Sequence, residues 1–369
     1  MLAKIRHFIQ KETVLFIAAL CAAATMFLVP PSPAYVHYID FRVLCLLFCL
    51  MGVVAGFKSV GAFQWLTYQL LRRIGSGRIL GVTLVMLPFF SSMLVTNDVA
   101  LLIFVPFTLA LLAQLGFEGS MIPVIVLQTV AANLGSMATP VGNPQNLFLY
   151  AAFNLSAGDF FSVVLPLTAV SFACLVAAAI PVLPRELKRQ DLAKEEISSI
   201  RDLMIYAGLF LLCLLTVFRV IAYPVTTVII IAVLAVLNRK LLKEIDYMLL
   251  LTFVCFFVVS ENLGQVEVVR GFLQKLLGRS TLMTSVGASQ IISNVPAAVL
   301  LSGFTDQWRE LLAGVNIGGL GTPIASLASL ITLKLYMRWP GAKVMRFIGV
   351  FMVANVVGLL ILLVVTELF

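Results

Sequence analysis

Charge is scarce in this chain of 369 residues: only 11% of them are Asp, Glu, Lys or Arg, whereas 61% are hydrophobic. A soluble domain has about a quarter of its residues charged. The shortage therefore excludes a large soluble core and indicates an all-α polytopic membrane protein. Basic residues outnumber acidic ones by 25 to 17, but their placement follows membrane topology, and we expect no nucleic-acid partner.

Motifs that carry chemistry are also missing. The chain has two histidines and no metal-ligand or Ser-His-Asp spacing, so we expect neither an enzyme nor a cofactor. It has no phosphate-binding loop of the Gly-x-x-x-x-Gly-Lys-Ser/Thr kind. Any energy that the protein uses must then come from a Na+ or H+ gradient or from a separate ATPase subunit. The six cysteines fall in apolar runs, where we expect packing rather than disulfides.

Apolar runs of membrane length make up most of the chain. We predict an N-terminal transmembrane helix within residues 1–39. Further spans are predicted at about 40–57, 158–183, 203–219, 223–238, 246–260 and 344–366. Two long runs, 121–153 and 306–335, are predicted to be helices broken in mid-membrane. Two others, 78–113 and 280–304, have a polar tip and are predicted to be re-entrant hairpins.

Basic residues give the orientation, because cytoplasmic segments carry an excess of Lys and Arg. With the N-terminus in the cytoplasm and each span crossing once, 19 of the 25 basic residues are cytoplasmic. The six on the outer side are Arg42, Arg219, Arg270, Lys275, Arg279 and Arg309. This bias requires each hairpin to enter and leave on one side, and it puts the C-terminus outside. We therefore expect a multi-pass protein of the cytoplasmic (inner) membrane.

The same order of segments occurs twice: span, amphipathic piece, hairpin, broken span, span. The first unit covers 40–183 and the second 246–369, and 184–245 holds a cytoplasmic linker and connecting scaffold helices. Within the broken spans, the segment from Asn133 to Val141 is similar in sequence to the segment from Asn316 to Ile324, 183 residues later. The units enter from opposite sides, which predicts an inverted-topology repeat. The linker, 184–202, is either a short amphipathic helix or a flexible segment.

The two breaks contain Gly, Pro, Asn and Thr. Broken backbone is tolerated in a membrane only where it lines a protein cavity or a pore, and paired interrupted helices point to a transporter binding site. Helix ends leave carbonyls that suit a small cation, and helix starts leave N–H groups that suit an anion. We expect Pro140 and Pro323 to restart the helices at their first turn.

Polar residues at the tips and breaks are the candidate ligands, because an Asn amide offers both a donor and an acceptor. The predicted substrate-binding residues are Asn97, Asn133, Thr139, Asn143, Ser293, Asn294, Asn316 and Thr322. The predicted coupling-ion residues are Thr96, Asn97, Asp98, Gly135, Asn294 and Gly318, with a Na+ site at Thr96, Asn97, Asp98 and Gly135. Their alternative role is to cap helices and join them.

Asp98 is the most informative single residue. It lies between the apolar runs 84–94 and 99–112, and its repeat partner is the neutral Val295. A carboxylate at membrane depth is costly and is a functional candidate by default. It could hold Na+, carry a coupling proton, or cap the second hairpin helix.

The tips and breaks resemble the ion-transporter superfamily that includes arsenite permeases, divalent-anion:sodium symporters and a class of sodium/proton antiporters. The matching segments are Thr96 to Leu101, Asn133 to Asn146, Ser293 to Pro296, and Gly321 to Leu330. The last is most similar to the arsenite-permease branch. The resemblance implies scaffold and transport domains, a homodimer and an elevator-type movement. It places cation or substrate ligands at Thr96, Asn97, Asn133, Gly135, Ser293, Asn294 and Gly318.

One departure from that superfamily concerns the Ser-Asn-Thr triplet that the dicarboxylate carriers have at both tips. Here the third residue is Asp98 at one tip and Val295 at the other, which argues against a di- or tricarboxylate. We expect a secondary active transporter for a small anion or an oxyanion-like neutral solute such as arsenite, coupled to Na+ or H+. The alternatives are a cation/proton antiporter that uses Asp98, a passive channel, and a membrane-embedded subunit without transport of its own.

Overall fold

The computed structural model describes residues 12–72, 74–186 and 195–368. Within these ranges the regular structure is helical and contains no β-strand. Seven of the helical segments are long and apolar enough to cross a membrane, and four shorter apolar helices accompany them. The predicted all-α, multi-pass membrane architecture is therefore confirmed.

The first half begins with an N-terminal helix and continues through the predicted span, amphipathic piece, hairpin, broken helix and span. Its helices are α1 (Thr13–Met26), α2 (Tyr35–Tyr38), α3 (Phe41–Ser59), α4 (Ala62–Leu71), α5 (Gly77–Ser91), α6 (Asn97–Gln114), α7 (Met121–Ser136), α8 (Pro144–Ala152) and α9 (Ala157–Ala179). Thus the hairpin consists of α5 and α6, and the broken helix of α7 and α8.

Three connecting helices precede a second half with the same order of elements. The connectors are α10 (Ile200–Val217), α11 (Tyr223–Leu237) and α12 (Leu241–Glu244). The second half comprises α13 (Tyr247–Gly264), α14 (Glu267–Arg279), α15 (Thr281–Ile292), α16 (Asn294–Ser302), α17 (Trp308–Ile317), α18 (Leu327–Met337) and α19 (Val344–Leu368). Helices α13 to α19 thus follow the order of α3 to α9, while their inverted orientation stays a prediction.

Matching caps begin the first span of each half. Asp40 precedes α3 and accepts a hydrogen bond from the Val43 amide at 3.0 Å. Asp246 precedes α13 and accepts one from the Leu249 amide at 2.9 Å. A carboxylate at this position satisfies one of the amides that a helix start leaves unpaired. The two halves therefore share helix order and the chemistry of their first helix starts.

The two prolines of the breaks do not start helices, which corrects the sequence expectation. Pro140 and Pro323 lie inside the breaks, in turns. The first broken helix resumes at Pro144 and the second at Leu327, four residues after each predicted restart. The breaks are longer than expected because residues on both sides of each proline are held by contacts to the hairpins, described below.

Several predicted features keep their status as predictions. Helix α6 is itself long enough to cross a membrane, so the depth to which its hairpin enters the bilayer is not fixed by helix length. The domain boundaries and the elevator movement likewise stay predictions. Of the proposed linker helix, residues 187–194 lie outside the described residues. Residues 195–199 are not helical.

The second arm of each broken helix packs against the other half of the molecule. Helix α8 contacts α16 and α17, whereas α18 contacts α6 and α7. Helix α7 lies at the centre, surrounded by α5, α6, α9, α18 and α19. The halves are therefore interlocked where the helices are broken, and the polar residues of both breaks meet in the interior.

Candidate functional site

Eight helix ends converge where the hairpin tips meet the breaks. Helices α5, α7, α15 and α17 end there, and α6, α8, α16 and α18 begin there. Each tip is fastened to the break of its own half by one backbone hydrogen bond. The Asn97 amide donates to the Gly142 carbonyl at 3.2 Å, and the Asn294 amide donates to the Ala325 carbonyl at 2.9 Å. Gly142 and Ala325 are again 183 residues apart, so the two contacts are equivalent.

Two buried asparagines join the halves crosswise. Asn133, near the end of α7, accepts a hydrogen bond at Oδ1 from the Ser326 hydroxyl at 3.0 Å. Asn316, near the end of α17, accepts one at Oδ1 from Asn143 Nδ2 at 3.2 Å. Ser326 and Asn143 each immediately precede the resumed helix of the opposite half. Asn133 and Asn316 thus each contact the start of the resumed helix in the other half.

The first tip enters this cluster through Asn97. Its Nδ2 donates to Asn133 Oδ1 at 3.0 Å, and its Oδ1 accepts from the Asp98 amide at 3.0 Å. The Asp98 Oδ1 atom is buried and has no hydrogen-bond partner among the described residues. Thr96 lies just before them in extended backbone and makes no side-chain cap. The predicted coupling-ion residues Thr96, Asn97 and Asp98 therefore stand together at the start of α6.

The second tip is strained and less tightly bonded. Ser293 has φ +73°, a region that side-chain-bearing residues rarely adopt and that clusters at functional sites. Its hydroxyl donates to the Ala325 carbonyl at 3.3 Å. Asn294 is only 4% exposed, and its side-chain amide has no hydrogen-bond partner in the described ranges. The side chain packs against Gly319. Asn294 thus keeps its amide groups available.

The two predicted threonine ligands face the hairpins rather than the cluster. The Thr139 hydroxyl donates to the Met93 carbonyl at 2.5 Å. Its equivalent, Thr322, donates through its hydroxyl to the Gln290 carbonyl at 3.2 Å and through its amide to Gln290 Oε1 at 2.9 Å. Both threonines fasten their break to the hairpin of the same half just before Pro140 and Pro323, and the bonds to the Gly142 and Ala325 carbonyls hold the chain after the prolines.

The two predicted glycine ligands, Gly135 and Gly318, lie where the broken helices pack closely against the first helix of each hairpin. A Cβ on Gly135 would lie 2.1 Å from the Phe89 carbonyl oxygen, and one on Gly318 would lie 2.8 Å from the Ser289 side chain. The Gly135 carbonyl accepts from the Ala138 amide, and the Gly318 carbonyl accepts from Gln290 Nε2 at 2.8 Å. Both glycines permit close packing, and both carbonyls already have one partner.

An open cleft of about 270 Å³ reaches Asp98 from one face of the protein. Its charged lining residues are Lys58, Asp98, Glu244 and Asp246, and Thr96 and Pro144 also line it. A cavity of about 20 Å³ beside it is lined by Thr96 and Asn143. The cleft therefore leads towards the amide cluster, and its walls carry three carboxylates and one lysine.

Several residues of the cluster were not anticipated from the sequence. Asn146 Oδ1 accepts from Asn316 Nδ2 at 2.7 Å, Ser136 bonds Asn143, and Ser326 bonds Asn133. The repeat could have identified Ser326 and Asn146. When the 183-residue offset is extended past Ile324, Ser326 aligns with the predicted ligand Asn143, and Asn146 aligns with another polar residue, Ser329.

The arrangement can accommodate charges of both signs. Four helix starts point the positive ends of their dipoles at the cluster and favour an anion, and four helix ends offer carbonyls that favour a cation. Asn amides can turn either group towards a ligand. Neither break contains Lys or Arg, so an anion would be held by dipoles, amides and hydroxyls.

Comparisons with known proteins identify the family of this chain. The family model described as citrate transporter matches residues 6–306. A protein of Methanocaldococcus jannaschii, described as an uncharacterized transporter, is 33% identical over 336 residues, covering 90% of this chain and 91% of the relative. The inner membrane protein YbiR of Escherichia coli is 30% identical over 315 residues, covering 84% of each chain.

A third relative is similar over a shorter stretch. The silicon efflux transporter LSI3 of rice, Oryza sativa subsp. japonica, is 34% identical over 128 residues, which is 35% of this chain and 26% of the relative. The predicted resemblance to the ion-transporter superfamily is confirmed, although the matching family carries the name of the citrate transporters and not that of the arsenite permeases. This chain belongs to the citrate transporter family of membrane transporters.

Proposed function

We propose that this protein is a secondary active transporter that moves a small anion or an oxyanion-like solute across the cytoplasmic membrane, coupled to Na+ or H+. The observation that carries the proposal is the buried amide cluster that joins the two halves where eight helix ends meet. A site shared by two interlocked halves is suited to exposure on alternate sides of the membrane. The N-terminus would be cytoplasmic and the C-terminus outside.

The solute would bind at the cluster and the coupling ion at the first tip. Helix starts and amides suit an oxygen-rich solute, whereas the Asp98 carboxylate and the nearby helix ends suit a cation. The family description names citrate and one relative's name names silicon. With arsenite, which the sequence resemblance implies, they are the first solutes to test. Asp98 and Val295, in place of the Thr of the dicarboxylate carriers, favour silicic acid and arsenite over citrate. A homodimer with an elevator-type movement of the transport domain belongs to the same proposal.

The test is flux in a purified system. The protein would be reconstituted into liposomes with no ATP, and uptake of each of the three solutes would be measured under an inward Na+ gradient, an inward H+ gradient and no gradient. Uptake driven by one of the gradients is the expected result. A complete lack of gradient-driven uptake would overturn the proposal. Single-channel current steps would instead identify a channel. A carrier needs a conformational step of microseconds to milliseconds for each transport cycle, so its ion flux is too small to give such steps.

A cation/proton antiporter is the second candidate, and the position of Asp98 favours it. Asp98 has an unpartnered carboxylate oxygen and lines a cleft whose charged residues are mostly acidic, a setting that favours a cation or a proton over a polyanion. Here Na+ and H+ would compete for Asp98, and no organic or oxyanion solute would be needed. Liposomes loaded with a pH-sensitive dye distinguish the two, because an antiporter dissipates a pH gradient on addition of Na+ alone.

Asp98→Asn is expected to abolish Na+-dependent stabilisation of the purified protein. A ligand at 100 times its dissociation constant stabilises a protein by about 2.7 kcal/mol, so a Na+ site should raise the melting temperature of the wild type in NaCl relative to choline chloride. The substitution keeps the size of the side chain and removes the charge that would bind the ion.

Asp306→Asn is the matched control, since Asp306 is exposed and lies away from the tips and breaks. It should retain the wild-type shift. If Asp98→Asn retained it as well, the Na+ site would lie elsewhere. If the wild type showed no Na+ effect at any pH, coupling to protons would be favoured.

A further inference from the structure

The resumed helix of the first half begins with a side-chain cap. Asn143 precedes α8, and its Oδ1 accepts from the Asn146 amide at 2.9 Å. The Asn146 side chain then donates to the carbonyls of Met137 and Thr139 at 3.1 and 3.2 Å, which fixes the break. The start of α8 therefore carries a side-chain cap, and the break before it is held by protein groups.

The equivalent helix start in the second half is built differently. The 183-residue offset places Ser326 at the position of Asn143 and Ser329 at that of Asn146. Ser326 makes no cap, because its hydroxyl is directed to Asn133 of the other half. The start of α18, a helix of 11 residues, thus lacks the side-chain cap that its counterpart has.

Ser329 is the second distinguishing feature of this helix start. Its side chain is fully buried, at 0% exposure, and its hydroxyl has no hydrogen-bond partner among the described residues. A buried serine on a helix commonly donates to the carbonyl four residues earlier. Here that carbonyl belongs to Ala325, which lies before the helix and already accepts from Ser293 and the Asn294 amide.

The neighbours of Ser329 one turn away along α18 both bond the central helix. On one side of it along α18, Ser326 bonds Asn133 of α7 at 3.0 Å. On the other side, Thr332 accepts from Thr129 of α7 at 2.9 Å. Ser329 lies between these two contacts in the sequence, on the face of α18 that meets α7. An unpartnered buried hydroxyl is costly to keep unless something uses it.

We propose that the start of α18 and the Ser329 hydroxyl bind an anionic oxygen group, carboxylate or inorganic oxyanion, of the transported solute. The inference rests on the proposed function and assigns different tasks to the halves: the second half holds the anionic group, and the first half holds the coupling cation at Asp98. Uncapped amides and a hydroxyl donor are the groups that an oxyanion requires. In the first half the same positions are closed by Asn143 and Asn146.

The test measures oxyanion binding directly, without transport. The melting temperature of the purified full chain would be measured with citrate, sulfate and phosphate against matched chloride, for wild type, Ser329→Ala, Ser329→Cys and Ser171→Ala. Ser171 is a matched control, because it is also buried on a helix but donates to the Leu167 carbonyl at 2.6 Å.

Ser329→Ala should weaken the oxyanion that stabilises the wild type by about tenfold or more, the loss expected for a hydrogen bond to a charged group. Without ligand it should melt at or above the wild-type temperature, since it removes an unpartnered polar group. Ser329→Cys, a weak donor of similar size, should bind with intermediate affinity. Ser171→Ala should melt slightly lower than the wild type and bind the oxyanion normally.

Unchanged oxyanion affinity in Ser329→Ala would overturn the inference, as would a wild type that no oxyanion stabilises. A fall in the melting temperature of ligand-free Ser329→Ala would also overturn it, because the hydroxyl would then have a structural partner. Failure of the proposed function is a separate result: it appears as missing gradient-driven flux of citrate, silicic acid and arsenite in the wild type, whatever the binding assay gives.

Discussion

Gly135→Ala is expected to destabilise the protein strongly. The added Cβ would lie 2.1 Å from the Phe89 carbonyl oxygen, 2.7 Å from its carbon and 2.8 Å from the Phe89 Cα. All three are backbone atoms of α5, so no side-chain rotation can relieve the overlap, and α5 must move away from α7. Close-packed interiors transmit such shifts rather than absorb them.

We expect the free energy of unfolding of Gly135→Ala to fall by roughly 3 kcal/mol or more, the upper end of the cost of overpacking. The measurement is thermal unfolding of the purified protein, together with its yield and monodispersity in gel filtration. At the equivalent position, Gly318→Ala should cost less, because one of its two close neighbours is the Ser289 side chain.

Gly287→Ala is the matched control on α15. No atom lies within 4 Å of the Cβ position at Gly287, and alanine favours a helix over glycine by about 1 kcal/mol. It should therefore melt at or above the wild-type temperature. A Gly135→Ala protein as stable as the wild type would show that α5 and α7 are not in close backbone contact at this position.

The order of the helices could be predicted because its signals are local. Apolar length, polar tips and the recurrence of Asn133 at Asn316 each depend on a few neighbouring residues, and they identified the breaks and the hairpins. The exact restart of the broken helices was not predictable in the same way. Thr139-Pro140 and Asn143-Pro144 are both plausible helix starts. The second is used because Thr139 bonds Met93 of the hairpin.

The contacts within the site depend on how the halves interlock, which no local pattern specifies. Asn133 and Asn143 were identified as candidates, but their partners Ser326 and Asn316 come from the other half. That pairing follows from the packing of α8 and α18 across the molecule. The unpartnered hydroxyl of Ser329 was equally hidden, because its usual acceptor is lost only when the second tip bonds Ala325.

Asn97→Ala and Asn294→Ala are each expected to reduce solute flux by at least 100-fold, but with different effects on stability. Asn97 bonds Asn133 and the Asp98 amide, and its loss leaves buried groups unpaired at about 1–3 kcal/mol. Asn97→Ala should therefore also melt several degrees lower. The Asn294 amide has no hydrogen-bond partner in the described ranges, so Asn294→Ala should melt close to the wild type.

Both variants would be compared with Asn238→Ala, because Asn238 lies outside the site and its side chain bonds only the Lys240 amide within the described residues. Reconstituted flux and melting temperature would be measured on the same preparations. Normal flux in both Asn97→Ala and Asn294→Ala would exclude a binding site formed by the two hairpin tips. Loss of flux in Asn97→Ala alone would restrict the site to the first half and favour the antiporter, since Asp98 has no counterpart beside Asn294. Loss in both, with stability lowered only in Asn97→Ala, would show that the second tip contributes ligand contacts without supporting the fold.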